Sequence, residues 1–336
     1  MMWNWNHFFT ANNGLYSILI AISILLILIV LRIVVIGKIK DNVIAQQAAE
    51  IREKVIILRD GYQVKLFKQV VATSNITIIG VHGLQGQKDD FKLLSSFCKK
   101  SQFSLITYDR RGVGKNEKNW KFKSIATDIA DLKDVINAVK TKYPQQKIIV
   151  FGESLGAAIA SHATKNNSQV TALIISNLVT KKNLYQFSLS FIIRFCCAFI
   201  FNSNIQMPIY VENKDISSSN AHITNINQRY SNRQSWSLRF LMQFKKVNSS
   251  SVMAISNSKI PTLILQSADD VFSDFHQLKI NKKYWKKHHS YVFLFEGKHA
   301  LINEPNFKDI FDSEIMPWIT KNSFTGERLR NNEVNS

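Results

Sequence analysis

The stretch from Lys147 to Lys165, KIIVFGESLGAAIASHATK, decides the fold. KIIVF (147–151) reads as a buried strand, and SLGAAIASHATK (154–165) reads as a helix. Between them stands Gly152-Glu153-Ser154-Leu155-Gly156. Glycines flank the serine because a turn this sharp leaves no room for side chains against the strand or the helix. Ser154 is then held in an unfavourable backbone conformation with its hydroxyl pointing outward. A bare G-x-S-x-G recurs by chance, so the strand before it and the helix after it carry the argument.

Working outward, the run ITIIGV (76–81) ends in His82-Gly83-Leu84-Gln85-Gly86. Alone, His-Gly is only a turn; beside a serine elbow it is a loop that offers backbone N–H groups. Downstream, PTLILQ (261–266) is followed by Ser267-Ala268-Asp269-Asp270, and YVFLF (291–295) by Glu296-Gly297-Lys298-His299. Serine, acid and histidine therefore occur in that chain order, each just past the end of a strand. Asp270, one residue deeper in its loop, is preferred as the acid, and Asp269 reads as a solvated or loop-capping residue. Asp274 opens the next helix as a first-turn acid. His162, His222, His276, His288 and His289 lack such a setting and read as structural or surface residues. Asp109-Arg110-Arg111-Gly112-Val113-Gly114-Lys115-Asn116 resembles a phosphate loop but has Asp where the first Gly belongs and Asn after Lys. It is read as a tight turn.

The rest of the chain from Lys54 alternates in the same way. Strand-like runs lie at 54–58, 62–68, 76–81, 103–108, 147–151, 170–175, 261–266 and 291–295, with amphipathic stretches at 122–141, 154–166, 273–286 and 304–320. The expected architecture is a mainly parallel α/β sheet of eight strands with helices on both faces. The first two strands, broken at Asp60-Gly61, read as an antiparallel hairpin. Residues 177–258 are too long for an ordinary connection and read as a cap inserted between the sixth and seventh strands. The cap opens with a very apolar helical stretch from Phe187 to Phe201. Three roles are open for it: dipping into a membrane interface, lining an acyl tunnel, or packing its apolar side on the domain.

Ahead of the domain, Leu15–Leu31 carries no charge, and the apolar run continues past Arg32 to Ile36. As a helix it measures ~33 Å, enough for a ~30 Å hydrocarbon core. A cleaved signal peptide would show a basic n-region and small residues at a cleavage site, and a core helix would show a polar stripe. The run is read as a retained transmembrane anchor over 15–37, after a short segment 1–14. No Lys or Arg precedes the span, whereas Arg32, Lys38, Lys40, Arg52 and Lys54 lie at or after it. The positive-inside rule then places the N-terminus, His7 included, outside and the large domain in the cytoplasm. Trp3 and Trp5 suit the outer interface. Residues 38–53, polar and Ala/Gln-rich, look like a helical stalk or linker; the domain is assigned 54–321 and a flexible tail 322–336.

Composition bounds the partners. The chain has 43 Lys plus Arg against 24 Asp plus Glu, a net charge of +19. That excess suits an anionic membrane face. No zinc-finger or RNA-recognition signature accompanies it, so nucleic acid is not expected. Cys98, Cys196 and Cys197 form no disulfide framework and no metal-ligand spacing, and they read as buried apolar packing in a reducing compartment. No metal or organic cofactor is signalled.

Taken together, the His82-Gly83 loop, Tyr108-Asp109-Arg110-Arg111-Gly112-Val113-Gly114, the Ser154 elbow, Asp270 and His299 resemble the α/β-hydrolase superfamily. Within it they are similar to the monoacylglycerol lipase, lysophospholipase and serine aminopeptidase-like group, over about residues 54–320. The resemblance implies Ser154 as nucleophile, Asp270 and His299 as its partners, and the backbone N–H groups of Leu84 and Leu155 as oxyanion donors. It also implies hydrolysis of lipid-like esters. An aminopeptidase or thioesterase would use the same triad, and a non-catalytic interaction protein could retain the scaffold. An aminopeptidase needs acids in the cap to hold the substrate amine, and Glu212 and Asp215 lie there.

Overall fold

The computed structural model describes residues 5–116, 124–180, 188–229, 233–274, 285–294 and 296–323. Trp3 and His276, most of the 273–286 stretch and nearly all of the tail fall outside them.

An N-terminal helix α1 (Trp5–Ile36) leads into the domain. The sheet strands follow as β1 (Glu50–Ile51), β2 (Val55–Ile57), β3 (Gln63–Gln69), β4 (Ile76–Val81), β5 (Ser104–Tyr108), β6 (Lys147–Glu153) and β7 (Val170–Ser176). Helices α2 (Lys92–Lys100), α3 (Ile125–Lys142) and α4 (Leu155–Thr164) lie among them. The chain then runs through α5 (Leu189–Ile200), β8 (Gln206–Tyr210), α6 (Asn213–Ile216), α7 (Asn220–Arg229), β9 (Arg233–Ser237) and α8 (Leu238–Ser256). It returns to the sheet as β10 (Thr262–Ser267) and β11 (His289–Leu294), and a C-terminal helix opens at Phe307–Ile310.

Nine strands form one sheet in the order β1-β2-β3-β5-β4-β6-β7-β10-β11. The β2–β3 hairpin and the β3–β5 pair are antiparallel, and every pair from β5 to β11 is parallel. The central strands are buried on both sides, ITIIGV of β4 along its whole length. One apolar cluster, including Ile79, Val81, Ile106 and Val150, packs one face against α3, α4 and α8. A second, including Ile78, Phe91, Phe151, Phe307 and Phe311, packs the other against α2 and the C-terminal helix. All eight expected strands are present, and the insertion from α5 to α8 lies between the sixth and seventh of them. The ninth strand, β1, comes from the segment expected to be a linker.

Residues 38–49 of that segment form no helix and are tied to the domain by hydrogen bonds. Ala and Gln are good helix formers, but propensity is a weak prior and tertiary hydrogen bonds override it. The N–H groups of Gln46 and Gln47 donate to the Arg59 carbonyl at 2.7 and 3.0 Å. Ser124 Oγ donates to the Lys40 carbonyl at 2.7 Å, and Gln243 Nε2 to the Lys38 carbonyl at 2.9 Å. The Asp41 carboxylate takes Arg59 at 2.7 Å, and Arg59 also holds Asp131 and Asp134. Ile36 is buried in the main core, so α1 joins the domain without a free stalk.

Tyr16–Ile36 of α1 is 21 residues long and apolar enough to cross a membrane, and its side chains up to Val35 are mostly exposed. A core helix of this domain is thereby excluded. Helix α5 also departs from the packed-inward reading: only Phe191 and Ala198 are buried, and Leu189, Ile192, Ile193, Phe195 and Ile200 are exposed. Of the cysteines, Cys98 is buried as expected, but Cys196 is exposed, because it sits on the outward side of α5.

Candidate active site

The carboxyl ends of β4, β6, β10 and β11 lie side by side in the parallel part of the sheet, and the four loops leaving them converge. Ser154 follows β6 with φ 58° and ψ −122°, a left-handed value that the surrounding structure must enforce. The enforcement is visible in the two glycines. A Cβ on Gly156 would stand 2.0 Å from the Val81 carbonyl oxygen, and one on Gly152 would stand 2.5 Å from the Gly156 oxygen. Strand β4, helix α4 and the turn therefore pass closer than any side chain permits. The Ser154 N–H donates to the Ser176 carbonyl on β7 at 3.0 Å, which fastens the turn to the neighbouring strand.

Ser154 Oγ donates to His299 Nε2 at 2.7 Å, and His299 Nδ1 donates to Asp270 Oδ1 at 2.9 Å. Of the two adjacent aspartates, Asp270 is buried and Asp269 is exposed. Asp270 is further fixed by the Phe272 N–H on Oδ1 at 2.9 Å and the Ser273 hydroxyl on Oδ2 at 2.6 Å. Burial pushes its carboxyl up, but the charge and hydrogen bond of His299 with these donors outweigh it and hold Asp270 below the usual value. His299 moves the opposite way. Burial pushes it down, and the Asp270 carboxylate more than offsets this and raises it above 6.5. The Phe272 ring meets the imidazole edge-on at 4.7 Å between centroids, so the histidine is clamped on its apolar side as well. A serine hydroxyl on a neutral imidazole nitrogen, with a carboxylate fixing the other nitrogen as donor, can transfer its proton as it attacks an electrophilic carbon.

The loop after β4 lies against the elbow, since a Cβ on Gly83 would stand 3.0 Å from that of Ser154. His82 braces this loop. Its Nδ1 donates to the Gly83 carbonyl at 2.8 Å, and its Nε2 accepts the Arg110 N–H at 3.1 Å. Burial and then the Arg110 charge keep its ring well below the ordinary histidine value, hence neutral. Leu155 opens α4, so its N–H is a first-turn donor with no acceptor within the helix. Leu84 lines the same cavity.

Several contributors were given no individual role by the sequence. Arg110 supports the loop, donating to the Gly83 carbonyl at 3.1 Å and pairing with Asp128 at 3.0 Å. Asp109 holds the turn expected at 109–116: its carboxylate accepts the N–H groups of Lys88 and Lys115, and Gly114 packs directly on it. Asn177 ends β7 with φ 47°. Its Nδ2 donates to the Lys298 and His299 carbonyls at 2.7 and 2.9 Å, and its Oδ1 accepts the Ser267 N–H at 2.8 Å. It thereby joins the acid loop to the histidine loop. His222, expected to be structural or surface, is buried on α7 and lines the cavity.

Glu153, inside the motif itself, is buried with Oε1 accepting the Ile302 N–H at 3.1 Å. Burial pushes its carboxyl up to about 8, against the opposing pull of that hydrogen bond and of His299. Between its ordinary value of 4.5 and about 8 the folded state therefore holds a proton that the unfolded chain has released. Stability falls as pH rises through that window. Glu153→Gln keeps an acceptor for Ile302 and has nothing to ionise. Its stability is expected to fall less steeply there, with Asp131, which burial pushes up to about 7, still titrating, and to exceed the parent's above pH 8 by on the order of a few kcal/mol. A variant that loses stability with pH as steeply as the parent would place the titration elsewhere.

Above Ser154 and His299 lies a cavity whose far wall comes from the cap, with Ile209, Trp236, Phe240, Leu241 and Phe244 among its lining. Trp236 stacks on Phe240 at 4.5 Å. The cap is fastened beside the histidine: the Ala300 N–H donates to the Ile216 carbonyl at 2.7 Å, and Ser217 and Ser218 both donate to Glu304. Arg229 of α7 pairs with Asp90 at 2.9 Å across the cavity edge. Glu212, a candidate amine anchor, is instead half-exposed and paired with Lys214.

Solved structures share this fold, among them three lipases or esterases. A soluble variant of monoglyceride lipase from Saccharomyces cerevisiae, in complex with a substrate analogue, superposes with a TM-score of 0.66 at 15% identity, covering 85% of this chain and 97% of that one. A carboxyl esterase from Bacillus coagulans in complex with glycerol gives 0.64 at 16%, covering 82% and 99%. A monoacylglycerol lipase from Paleococcus ferrophilus gives 0.62 at 16%, covering 77% and 99%. No curated protein matches the sequence. The sequence itself, from residue 72 to 306, matches the family model described as serine aminopeptidase S33. That match spans well over half of the chain, which therefore belongs to the Hydrolase_4 family of α/β hydrolases.

Proposed function

We propose that the chain is a membrane-anchored serine hydrolase that cleaves carboxylic esters of lipid character, such as lysophospholipids or monoacylglycerols. The observation that carries this is the Ser154–His299–Asp270 hydrogen-bonded chain at the floor of an apolar cavity. Ser154 Oγ attacks the acyl carbonyl while His299 Nε2 takes its proton. The oxyanion forms against the N–H groups of Leu84 and Leu155. The intermediate collapses to an acyl-serine, and the leaving alcohol departs with the proton from His299. Water then attacks the acyl carbon, giving its proton to His299, and the fatty acid leaves as Ser154 recovers its hydrogen. Asp270 holds the ring in the required tautomer and stabilises its charged form. Gly152 and Gly156 hold the elbow, and His82 and Gly83 hold the oxyanion loop.

The anchor is α1. Its last turn is built into the fold, with Ile36 in the main core, which suits a retained helix better than a leader destined for removal. The basic residues after the span support an orientation of this single-pass protein with the catalytic domain in the cytoplasm. Lipid is favoured over a peptide amine because the cavity is mostly apolar and, of the two acids in its lining, Asp90 is already paired with Arg229 and Glu153 accepts the Ile302 N–H.

The test is a series of monoacylglycerols of increasing acyl length, assayed below their aggregation limit with the full-length protein in detergent. Each methylene buried in the cavity contributes ~0.8 kcal/mol, so kcat/KM is expected to rise about two hundredfold over four added methylenes. A profile that is flat or falls with length, or a preference for aminoacyl amides, would sink the lipid reading.

A further inference from the structure

Helix α5 faces outward with its most apolar side. Leu189, Ile192, Ile193, Cys196 and Ile200 recur at i, i+3, i+4, i+7 and i+11, which puts them on one stripe, and all are exposed. Ile193 is 55% and Ile200 63% exposed, and Phe201, just beyond, is 76% exposed. The inward stripe is Phe191 and Ala198. A surface helix of a water-soluble domain does the reverse, so this stripe has a partner.

The position of α5 identifies that partner. Arg32, one helical turn before the end of α1, donates from Nε to the Phe199 carbonyl at 2.7 Å. Phe199 lies in the last turn of α5, where carbonyls lack helical donors and a cation is favoured. Arg32 therefore caps α5 rather than reaching freely for headgroups. The two helices meet at the end of the apolar span Tyr16–Ile36, and no flexible stalk separates that span from the domain. If α1 crosses a bilayer, the end of α5 lies within a few ångströms of its surface. Arg194, Lys38 and Lys40 are exposed around this junction, where anionic headgroups would be.

We infer that α5 lies in the interfacial layer of the leaflet from which α1 emerges, with its apolar stripe among the upper acyl chains. The proposal rests on reading α1 as a retained span. It gives the domain two footings, one vertical and one flat, that fix its orientation on the membrane. From α5 the chain turns directly into β8, whose Ile209 lines the cavity over Ser154. The roof of the cavity is thus seated in lipid, and a single-chain lipid has a short path from the leaflet to the serine.

Cys196 supplies a native reporter on the stripe, while Cys98 is buried. The full-length Cys197→Ser protein, labelled at Cys196 with a small fluorophore, is reconstituted into phosphatidylcholine vesicles containing some phosphatidylglycerol. Phospholipids with a nitroxide near the headgroup are expected to quench it strongly, and aqueous iodide weakly. In parallel, Ile192→Asp with Ile193→Asp is expected to lose about tenfold or more of the rate on long-chain monoacylglycerol in vesicles, and none on a short soluble ester. Quenching by iodide but not by lipid would overturn the inference, as would silence towards both, which marks a face covered by protein. Release of the protein from vesicles by alkaline carbonate would overturn the anchor and the inference together. The quenching readout is independent of catalysis, so a failure of the ester-hydrolase reading is seen separately.

Discussion

Ser154→Ala is expected to abolish ester turnover, by about 10⁴- to 10⁶-fold, while leaving the protein folded. The loss follows from the single atom removed. Oγ is the only group of the elbow that meets His299 Nε2, at 2.7 Å, and without it no acyl-enzyme can form. The fold is spared because alanine retains the Cβ that packs at 3.0 Å from the Gly83 position and adopts φ 58° at no greater cost than serine. Thermal stability is expected to shift by no more than about 1 kcal/mol, the net worth of one hydrogen bond. The direct measurement is labelling of membranes bearing the parent or the variant with a fluorophosphonate probe. Such a probe reacts only with a serine whose proton has somewhere to go. Labelling in the parent that vanishes in the variant is the expected result. Persistent labelling in the variant would assign the chemistry to another serine. A folded parent that never labels would point to a hydrolase scaffold retained for binding a partner.

The elbow was legible because its requirements are local. A strand of Ile, Val and Phe, two glycines and a helix of small residues all fall within nineteen consecutive positions, Lys147 to Lys165. Strand positions were legible for the same reason: a strand buried on both faces must be apolar throughout. The choice between Asp269 and Asp270 was less legible. Both occupy one loop, and what turns Asp270 inward is the Ser273 hydroxyl, the Phe272 N–H and a histidine twenty-nine residues on. The roles of Asn177, Arg110 and Glu153 are not legible, although Arg110 and Glu153 stand inside quoted motifs, because their partners lie far along the chain and an Asn or Glu in isolation does not announce a distant carbonyl or N–H. The hydropathy of α5 was plain, but hydropathy gives the amount of apolar surface and not the side that faces the domain. Residues 38–53 read as a helical stalk or linker for a related reason. Their composition suits a helix, and only the tertiary bonds to Arg59, Ser124 and Gln243 show why they do not form one.

Asp270→Asn separates the two neighbouring aspartates, and its expected effect on kcat is a loss on the order of 10⁴-fold, against about twofold or less for Asp269→Asn. The amide fills the same buried volume but has one accepting oxygen where the carboxylate has two. Oδ1 accepts from the Phe272 N–H and His299 Nδ1, and Oδ2 from Ser273 and Gln266. An oxygen kept at the Oδ2 position turns the NH₂ group towards the Phe272 N–H and the ring, and the imidazole proton then moves to Nε2, the nitrogen that must accept from Ser154. An oxygen kept at the Oδ1 position sets the NH₂ group against Gln266 Nε2 and leaves His299 Nδ1 a neutral acceptor in place of a charge, so either orientation weakens the base. The pH profile carries the second half of the argument. Asp270's negative charge is what raises His299 above 6.5, against the burial that lowers it. Hydrolysis needs the neutral ring, so the acidic limb of kcat/KM in the parent is expected above pH 6.5. In Asp270→Asn that limb moves to lower pH, because burial then acts without the compensating charge. Asp269, being exposed, moves neither rate nor limb. The reverse pattern, a large loss in Asp269→Asn and a modest one in Asp270→Asn, would mean that the loop after β10 turns the other carboxylate inward during turnover.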